Sequence, residues 1–319
     1  MRVTVTAYAR LHLGFLNVDA SLGWVHGSLG VGLDTPRIRI VAEPARVFSV
    51  EGEQADKVAR WAERLGTALG RTWPARLRVE EAIAEHSGLG SGTQWALAVG
   101  TALTLLCGKP MAPRELAATL GRGMRSGIGV ASFEAGGCIM EAGHLRRSPE
   151  EPVRPSAVVL RRDFPAGWRF VLVVPEAGPG LSGQAEREAF GSLGETADIA
   201  DAVCRIVLLR LLPALIEENI AAFGRAVSDL DRQTGLFFKQ AQGGVYRDTG
   251  GEIIEALLAA GAYGVGQSSW GPCLYALVDD ATEAGVVSAA RARLAAMGLP
   301  GRVFVAAARN AGADVRVAG

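Results

Sequence analysis

Hydrophobic and polar residues alternate in two short stretches of the N-terminal half, at residues 3–7 and 37–41. A period of two is typical of a β-strand with one buried face. A further short strand is predicted at residues 76–79. The apolar run at residues 169–174 predicts a buried strand, which Pro175 ends.

Apolar residues recur at helical spacing in five other segments. Residues 56–69 place them three or four positions apart, as an amphipathic helix requires. The same reasoning predicts helices at residues 94–106, 113–120, about 199–215 and about 219–230.

Near the C-terminus, strands are predicted at residues 273–278 and 302–306, on either side of a helix at residues 281–297. That order is typical of a split β-α-β element. The charged, proline-containing stretch at residues 146–155 predicts an exposed connection.

The succession of elements in the second half predicts an α+β domain, and 319 residues are enough for two domains or for one large one. For the two-domain arrangement, we place the first domain at residues 1–165 and the second at residues 166–319.

Composition and charge exclude several classes of function. Nearly half of the residues are hydrophobic and the formal net charge is zero, so a bulk electrostatic surface for nucleic acid is not expected. The longest apolar run, at residues 203–216, contains Arg205, Arg210 and Pro213, so it does not predict a membrane span. The N-terminus lacks the apolar core of a signal peptide. We expect a cytoplasmic protein without nucleic-acid or membrane partners.

Four cysteines are scattered singly: Cys107, Cys138, Cys204 and Cys273. Because none forms a Cys-x-x-Cys pair, neither a zinc site nor a disulfide framework is expected. Buried free thiols are the better interpretation.

The most informative segment precedes the helix predicted at residues 94–106. It combines three glycines with hydroxyl residues: Ser87, Gly88, Leu89, Gly90, Ser91, Gly92 and Thr93. Glycines let backbone N–H groups approach an anion closely, and a following helix directs its first N–H groups to the same point. The segment therefore predicts a phosphate or pyrophosphate site. A capped helix with a flexible entry loop is the alternative.

This loop matches neither the P-loop, since no lysine follows, nor the dinucleotide pattern, since the third glycine is missing. It resembles the second signature of the GHMP kinase superfamily. No proline precedes it, however, and Gly92 stands where those kinases have a serine that helps to hold magnesium.

A second glycine-rich segment covers residues 121–137, where Arg122 and Arg125 could clamp a phosphate or carboxylate. The alternative is a loop that only needs unusual backbone angles. The superfamily's kinases have a catalytic aspartate in this region, after a Ser-Gly pair. Here Ser126-Gly127-Ile128 is followed by Gly129. Phosphoryl transfer needs metal-held phosphates and a group that positions the nucleophile, so kinase activity is not expected.

These residues instead resemble the β-ribofuranosylaminobenzene 5′-phosphate synthase family, the non-kinase branch of that superfamily. The resemblance extends over nearly the whole chain, and further matching stretches lie at residues 10–12, 22–23, 30–33, 175–188, 242–246 and 264–272. It implies an N-terminal α+β domain like those of small-subunit ribosomal proteins and a ferredoxin-like C-terminal domain. The ligand would lie in the cleft between them.

The resemblance also implies the reaction, an early step of methanopterin biosynthesis. 4-Aminobenzoate condenses with 5-phosphoribosyl 1-pyrophosphate, and CO2 and pyrophosphate are released. Mg²⁺, the loop, Arg122 and Arg125 would stabilise the departing pyrophosphate, with Ser126 also at the site. Arg10 would orient the aminobenzoate carboxylate, and Glu134 would hold the metal or a ribose hydroxyl. We also expect a homodimer.

Other polar residues have a functional and a structural interpretation. His12 and His26 could bind phosphate or transfer protons, and His86, beside the loop, is the strongest candidate among the histidines. Hydrogen-bonded structural roles are the alternative for each.

Asp19 and Asp34 could hold magnesium, although Asp34 also suits a turn. Glu134 could instead form an ion pair with Arg125 or Arg122. Trp270 could stack on an aromatic substrate or belong to the core.

Two rival functions remain open at this point. One is a small-molecule kinase of the same fold, and the other is a non-catalytic phosphometabolite-binding protein. Their products differ: ADP from the kinase, pyrophosphate with CO2 from the synthase, and none from the binder.

Overall fold

The computed structural model describes residues 1–18, 23–85, 87–145, 154–176 and 197–319. The exposed connection predicted at residues 146–155 therefore lies mostly outside the described residues.

A twisted sheet forms the N-terminal half. In the described chain it contains β1 (Arg2–Phe15), β3 (Ser28–Pro44), β4 (Ser49–Glu51), β5 (Ala75–Glu81), β6 (Cys138–Glu141), β8 (Val158–Arg162) and β13 (Asp314–Ala318). Its main order is β13-β1-β3-β5-β4, and β6 pairs with β3 and β8. The short strands β2 (Trp24–Val25) and β7 (His144–Leu145) pair beside it.

Both N-terminal strands are longer than the alternation predicts. The strand predicted at residues 3–7 continues to Phe15, and the strand predicted at 37–41 begins at Ser28. Register shifts at Tyr8/Arg10 and His12/Gly14 keep the two strands paired where strict alternation fails. Within this extension, position 30 has no room for a side chain, because a Cβ there would lie 2.4 Å from Ile128 Cγ2.

Helices α1 (Ala55–Leu69), α2 (Ser91–Leu106) and α3 (Pro113–Thr119) confirm the predictions for this half. Helix α2 packs against β1 and β3 and is buried along most of its length. A fourth helix, α4 (Ile128–Ala135), occupies part of the segment expected to be a glycine-rich loop. That expectation was wrong for these eight residues: an apolar, proline-free stretch between Gly127 and Gly136 fills the space between α2 and the sheet.

The second sheet has the order β10-β11-β9-β12 in the described chain and is antiparallel. Its strands are β9 (Arg169–Pro175), β10 (Gly264–Gln267), β11 (Leu274–Val278) and β12 (Gly301–Ala307). Helix α9 (Glu283–Ala296) connects β11 to β12, and both pair with β9, which confirms the split β-α-β element. Helix α8 (Gly250–Ala259) packs beside α9.

The long helical patterns of the second half form α5 (Ala197–Ile206), a π-helical turn at Val207–Leu211, α6 (Leu212–Ile216) and α7 (Ile220–Gln242). Helix α7 extends well past residue 230, where the pattern predicted its end, and Gly243 ends it in a left-handed conformation. It contacts both β10 and β1, so it joins the two halves.

The boundary between residues 165 and 166 stays a prediction. The last strand, β13, pairs with β1 in the first sheet, although we assigned its residues to the second domain.

All four cysteines are free thiols, as expected. Cys138 and Cys273 are buried, and burial raises the pKa of each thiol to about 12. Cys204 is exposed, so the expectation of burial was wrong for that residue. Within the described ranges, no helix is both long and apolar enough to cross a bilayer.

Candidate functional site: a glycine loop between two arginines

The loop between β5 and α2 has the geometry of an anion cradle. Gly88 and Gly90 adopt φ angles of +83° and +79°, which L side chains rarely adopt. Gly90 is the N-cap of α2, and since glycine has no side chain, it supplies no capping hydrogen bond to the helix. The first amides of α2 therefore point out of the loop without a side-chain acceptor, as a phosphate site at a helix N-terminus requires.

Backbone contacts fix the loop against both halves of the protein. Cys273 N donates to the Ser87 carbonyl at 3.2 Å, and the buried Ser87 hydroxyl donates to Ala84 O at 2.9 Å. Leu89 is buried, and its carbonyl accepts from Arg10 N at 3.2 Å. The loop is thus held before any ligand arrives.

Two guanidinium groups flank the loop. Arg10 Nη1 donates to Gly88 O at 2.6 Å, and a Cβ at Gly90 would lie 3.1 Å from Arg10 Cζ. On the other side, Arg122 donates to Thr93 Oγ1 at 3.4 Å, and a Cβ at Gly92 would lie 3.2 Å from Arg122 Nη2. The arginine therefore occupies the space beside the first turn of α2 into which a serine at position 92 would extend. Fixed positive charge on both sides favours a pyrophosphate.

Gly129 faces this site from α4. A Cβ there would lie 3.2 Å from both Cβ and Cγ2 of Thr93. The position at which the resemblance places the kinases' aspartate is thus packed against α2, and any side chain there would require Thr93 to shift by a few tenths of an ångström.

The carboxylate of Glu141, which the sequence did not single out, is buried against the glycine-rich segment at residues 121–137. Glu141, on β6, is 1% exposed and accepts hydrogen bonds from the hydroxyls of Ser28 and Ser126. Gly127 N donates to both of its oxygens, at 2.8 and 2.6 Å. Burial raises the pKa of Glu141, and these donors oppose that rise. The carboxylate holds Ser126 and the N-terminus of α4 in place, and its only signal in the sequence is one acid in an apolar strand.

The pKa of His26 is lowered to about 4, chiefly by burial and then by the nearby charges of His144 and Arg125. His144 also lies close to His26 and pairs across strands with Val25. The structure thus groups Arg125 with two histidines and groups Arg122 with the loop.

Glu134 is exposed at the end of α4 and forms an ion pair with Arg114 at 3.1 Å. This corrects the structural alternative, which paired Glu134 with Arg125 or Arg122. Arg125 and Glu134 belong to one glycine-rich segment of the sequence, but the structure separates them: Arg125 precedes α4 and Glu134 lies in its last turn, and eight helical residues span about 12 Å.

Other candidates have structural partners or lie outside the described residues. Asp34 Oδ1 accepts from Ala307 N at 3.0 Å, so it connects β3 with β12. Trp270 is buried against Phe238, with ring centroids 4.4 Å apart. Asp19, His86 and the matching stretch at residues 180–188 lie outside the described residues.

The described residues include carboxylates that are candidates for holding Mg²⁺. No three His, Cys, Asp or Glu side chains cluster among them as metal ligands. Glu141 is surrounded by donors, and Glu134 is held by Arg114. The role of Glu134 as a ligand stays a prediction.

Comparisons with known proteins agree with this fold. Residues 56–137 match the family model "GHMP kinases N terminal domain", and residues 211–296 match "GHMP kinases C terminal". Among solved structures, a homoserine kinase from Cytophaga hutchinsonii is similar with a TM-score of 0.68 and 19% identity, covering 99% of this chain and 97% of that one. Galactokinase from Lactococcus lactis is similar with a TM-score of 0.70 and 14% identity, covering 98% of this chain and 95% of that one. These likenesses confirm the two-domain α+β fold.

Curated relatives are more similar in sequence. The beta-ribofuranosylphenol 5'-phosphate synthase of Methanothermobacter thermautotrophicus is 32% identical, covering 98% of both chains. That of Archaeoglobus fulgidus is 33% identical, covering 97% of this chain and 98% of the relative. These relatives are synthases, so the chain is an enzyme. It belongs to the β-ribofuranosylphenol 5′-phosphate synthase family, within the GHMP kinase superfamily.

Proposed function

We propose that the protein transfers the phosphoribosyl group of 5-phosphoribosyl 1-pyrophosphate to 4-aminobenzoate. The observation that carries the proposal is the glycine loop with Arg10 beside Gly90 and Arg122 beside Gly92. A donor whose leaving group is pyrophosphate needs fixed positive charge and backbone donors where negative charge develops.

The reaction is balanced without an external oxidant or base. The bond from the anomeric carbon to the pyrophosphate oxygen breaks, and pyrophosphate keeps the electron pair. The carboxyl-bearing ring carbon forms the new carbon–carbon bond. Its carboxylate leaves as CO2, and that electron pair returns to the ring. The amino group opposite makes this carbon electron-rich, while Arg10 is proposed to orient the carboxylate before it leaves.

The relatives' names specify a phenol product, with a hydroxyl where an aminobenzene has its amino group. Both groups release electrons to the ring, so 4-hydroxybenzoate is the second acceptor to test. Mg²⁺ belongs to this proposal as a counter-ion carried by the donor's pyrophosphate, because Mg²⁺ keeps water and phosphate oxygens as ligands. No step above depends on it. The homodimer, the cytoplasmic location and the place in methanopterin biosynthesis belong to the proposal too.

Carboxyl-labelled 4-aminobenzoate, incubated with 5-phosphoribosyl 1-pyrophosphate and Mg²⁺, should release labelled CO2 and an equal amount of pyrophosphate. The same assay with carboxyl-labelled 4-hydroxybenzoate ranks the two acceptors. Omitting the ribosyl donor is the control, because decarboxylation must then stop. If labelled CO2 forms with neither acceptor, the proposal fails.

We further expect no transfer of the ATP γ-phosphate to homoserine, mevalonate or simple sugars. Position 129 has no carboxylate, and the space beside it is occupied by Thr93. A coupled assay for ADP, with a homoserine kinase run in parallel, checks this. Acceptor-dependent ADP formation would favour the kinase alternative.

A further inference from the structure

A small enclosed cavity lies beside the loop, between the two halves. His12 and Phe15 of β1 form one wall, Thr234 and Phe238 of α7 form another, and Trp270 closes it. The ring centroids of His12 and Phe15 are 4.5 Å apart, and those of Phe15 and Phe238 are 5.8 Å apart. The enclosed space admits about one water-sized group.

Two residues that line this cavity each carry a buried polar atom with no hydrogen-bond partner among the described residues: His12 Nε2 and Thr234 Oγ1. A threonine in a helix commonly satisfies its hydroxyl on the carbonyl four residues earlier. Ser228 does this in the same helix, donating to Gly224 O at 3.2 Å, whereas Thr234 does not. Leaving such an atom buried and unpaired is unfavourable, so both atoms are suited to bind a ligand.

The charge state of His12 fits a neutral ligand group. Its side chain is fully buried, and desolvation together with the charge of Arg10 lowers its pKa to about 3. A neutral imidazole has one donor and one acceptor nitrogen, and a hydroxyl can donate or accept. An aromatic amino group, or a phenol hydroxyl, can satisfy this pair.

The Ser268 hydroxyl connects one wall of the cavity to the glycine loop. Ser268 Oγ accepts from His12 N at 3.1 Å and donates to Gly88 O at 2.9 Å. A group in the cavity and a phosphate on the loop would therefore be neighbours in one site.

We propose that this cavity receives only the para substituent of the aromatic acceptor, an amino or hydroxyl group about the size of one water, for which His12 Nε2 and Thr234 Oγ1 supply the hydrogen-bonding atoms. The ring itself is too large for the cavity and would lie outside it. The inference rests on the proposed function, since it assigns a place to that reaction's acceptor. A hydrogen bond from the amino N–H to His12 Nε2 shifts the amino proton toward Nε2. The amino nitrogen then releases more electron density into the ring. The carbon opposite, which forms the new bond, gains electron density as a result. Thr234 and His12 are thus specificity-determining residues.

Thr234→Val tests this by removing the hydroxyl at nearly constant volume. We expect wild-type protein to bind 4-aminobenzoate at least tenfold more tightly than benzoate in calorimetric titrations, because benzoate leaves the two atoms unpaired. Thr234→Val should reduce that preference about tenfold, and Thr234→Ser should retain most of it. Thr101→Val is the matched control: it removes another buried, unpartnered hydroxyl, in the middle of α2, and should leave the preference unchanged.

Thermal unfolding separates recognition from a structural role. Thr234→Val should unfold no earlier than wild type, because it removes an unsatisfied buried group, and its affinity for 5-phosphoribosyl 1-pyrophosphate should not change. An unchanged preference in Thr234→Val would overturn the inference and indicate a structural water in the cavity. The proposed function would still stand if wild type released labelled CO2. A third outcome is that wild type prefers 4-aminobenzoate to benzoate, that Thr234→Val loses this preference, and that no product forms. That result would refute the proposed reaction but support the acceptor site.

Discussion

Gly90→Val should abolish measurable binding of 5-phosphoribosyl 1-pyrophosphate in a protein that still folds. Gly90 has a φ of +79° at the N-cap of α2, and a Cβ there would lie 3.1 Å from both Cζ and Nε of Arg10. The branched side chain would push Arg10 away from Gly88 O and extend into the path of the anion. Gly90→Val therefore loses both the contact of the Arg10 guanidinium with the loop and the open backbone of the loop. Ser91→Ala removes only one hydroxyl and should cost about 1.5–3 kcal/mol of binding free energy.

Gly70→Val separates this effect from backbone strain. Gly70 has a φ of +62° at the end of α1, and a Cβ there would meet no atom within 4 Å. Both valine variants should lose about 1–3 kcal/mol of unfolding free energy, since both force a side chain into the left-handed region. Only Gly90→Val should lose the calorimetric signal with the ribosyl donor. Unchanged affinity in folded Gly90→Val would refute the loop as the phosphate cradle.

The sequence predicts the backbone of the loop and the helix that follows it because these are local, whereas phosphate binding by the loop stays a prediction. Glycine next to serine and threonine before an apolar helix allows few conformations, and the positive φ angles of Gly88 and Gly90 are the ones an anion cradle needs. The split β-α-β element is predicted for the same reason: each strand and helix has its own period.

Features that depend on distant partners are not predicted. Glu141 becomes a buried anchor only because Ser28, 113 positions away, and Ser126 reach it in the fold. Helix α4 has no polar face to reveal its period, since it is buried between α2 and the sheet. Thr234 reads as an ordinary helical residue until the tertiary structure places it opposite His12. Tertiary packing, rather than local propensity, decides each of these.

Arg122→Ala should lower turnover of 5-phosphoribosyl 1-pyrophosphate by about 10²–10³-fold, the usual cost of losing one preorganised donor to developing negative charge. Its guanidinium lies beside Gly92 and Thr93, at the start of α2 where the proposed leaving group is held. The charge on that group grows as the anomeric bond breaks, so kcat should fall more than KM rises.

Arg64→Ala is the matched control for this variant. Arg64 and Arg122 both lie over the Trp61 ring, with Cζ 5.6 and 5.8 Å from its centroid. Each alanine variant thus loses one cation–π contact, but only Arg122 contacts Thr93. The two variants should unfold at similar temperatures, while pyrophosphate release falls only in Arg122→Ala. Equal turnover in the two variants would show that Arg122 serves packing on Trp61 and does not stabilise the leaving group.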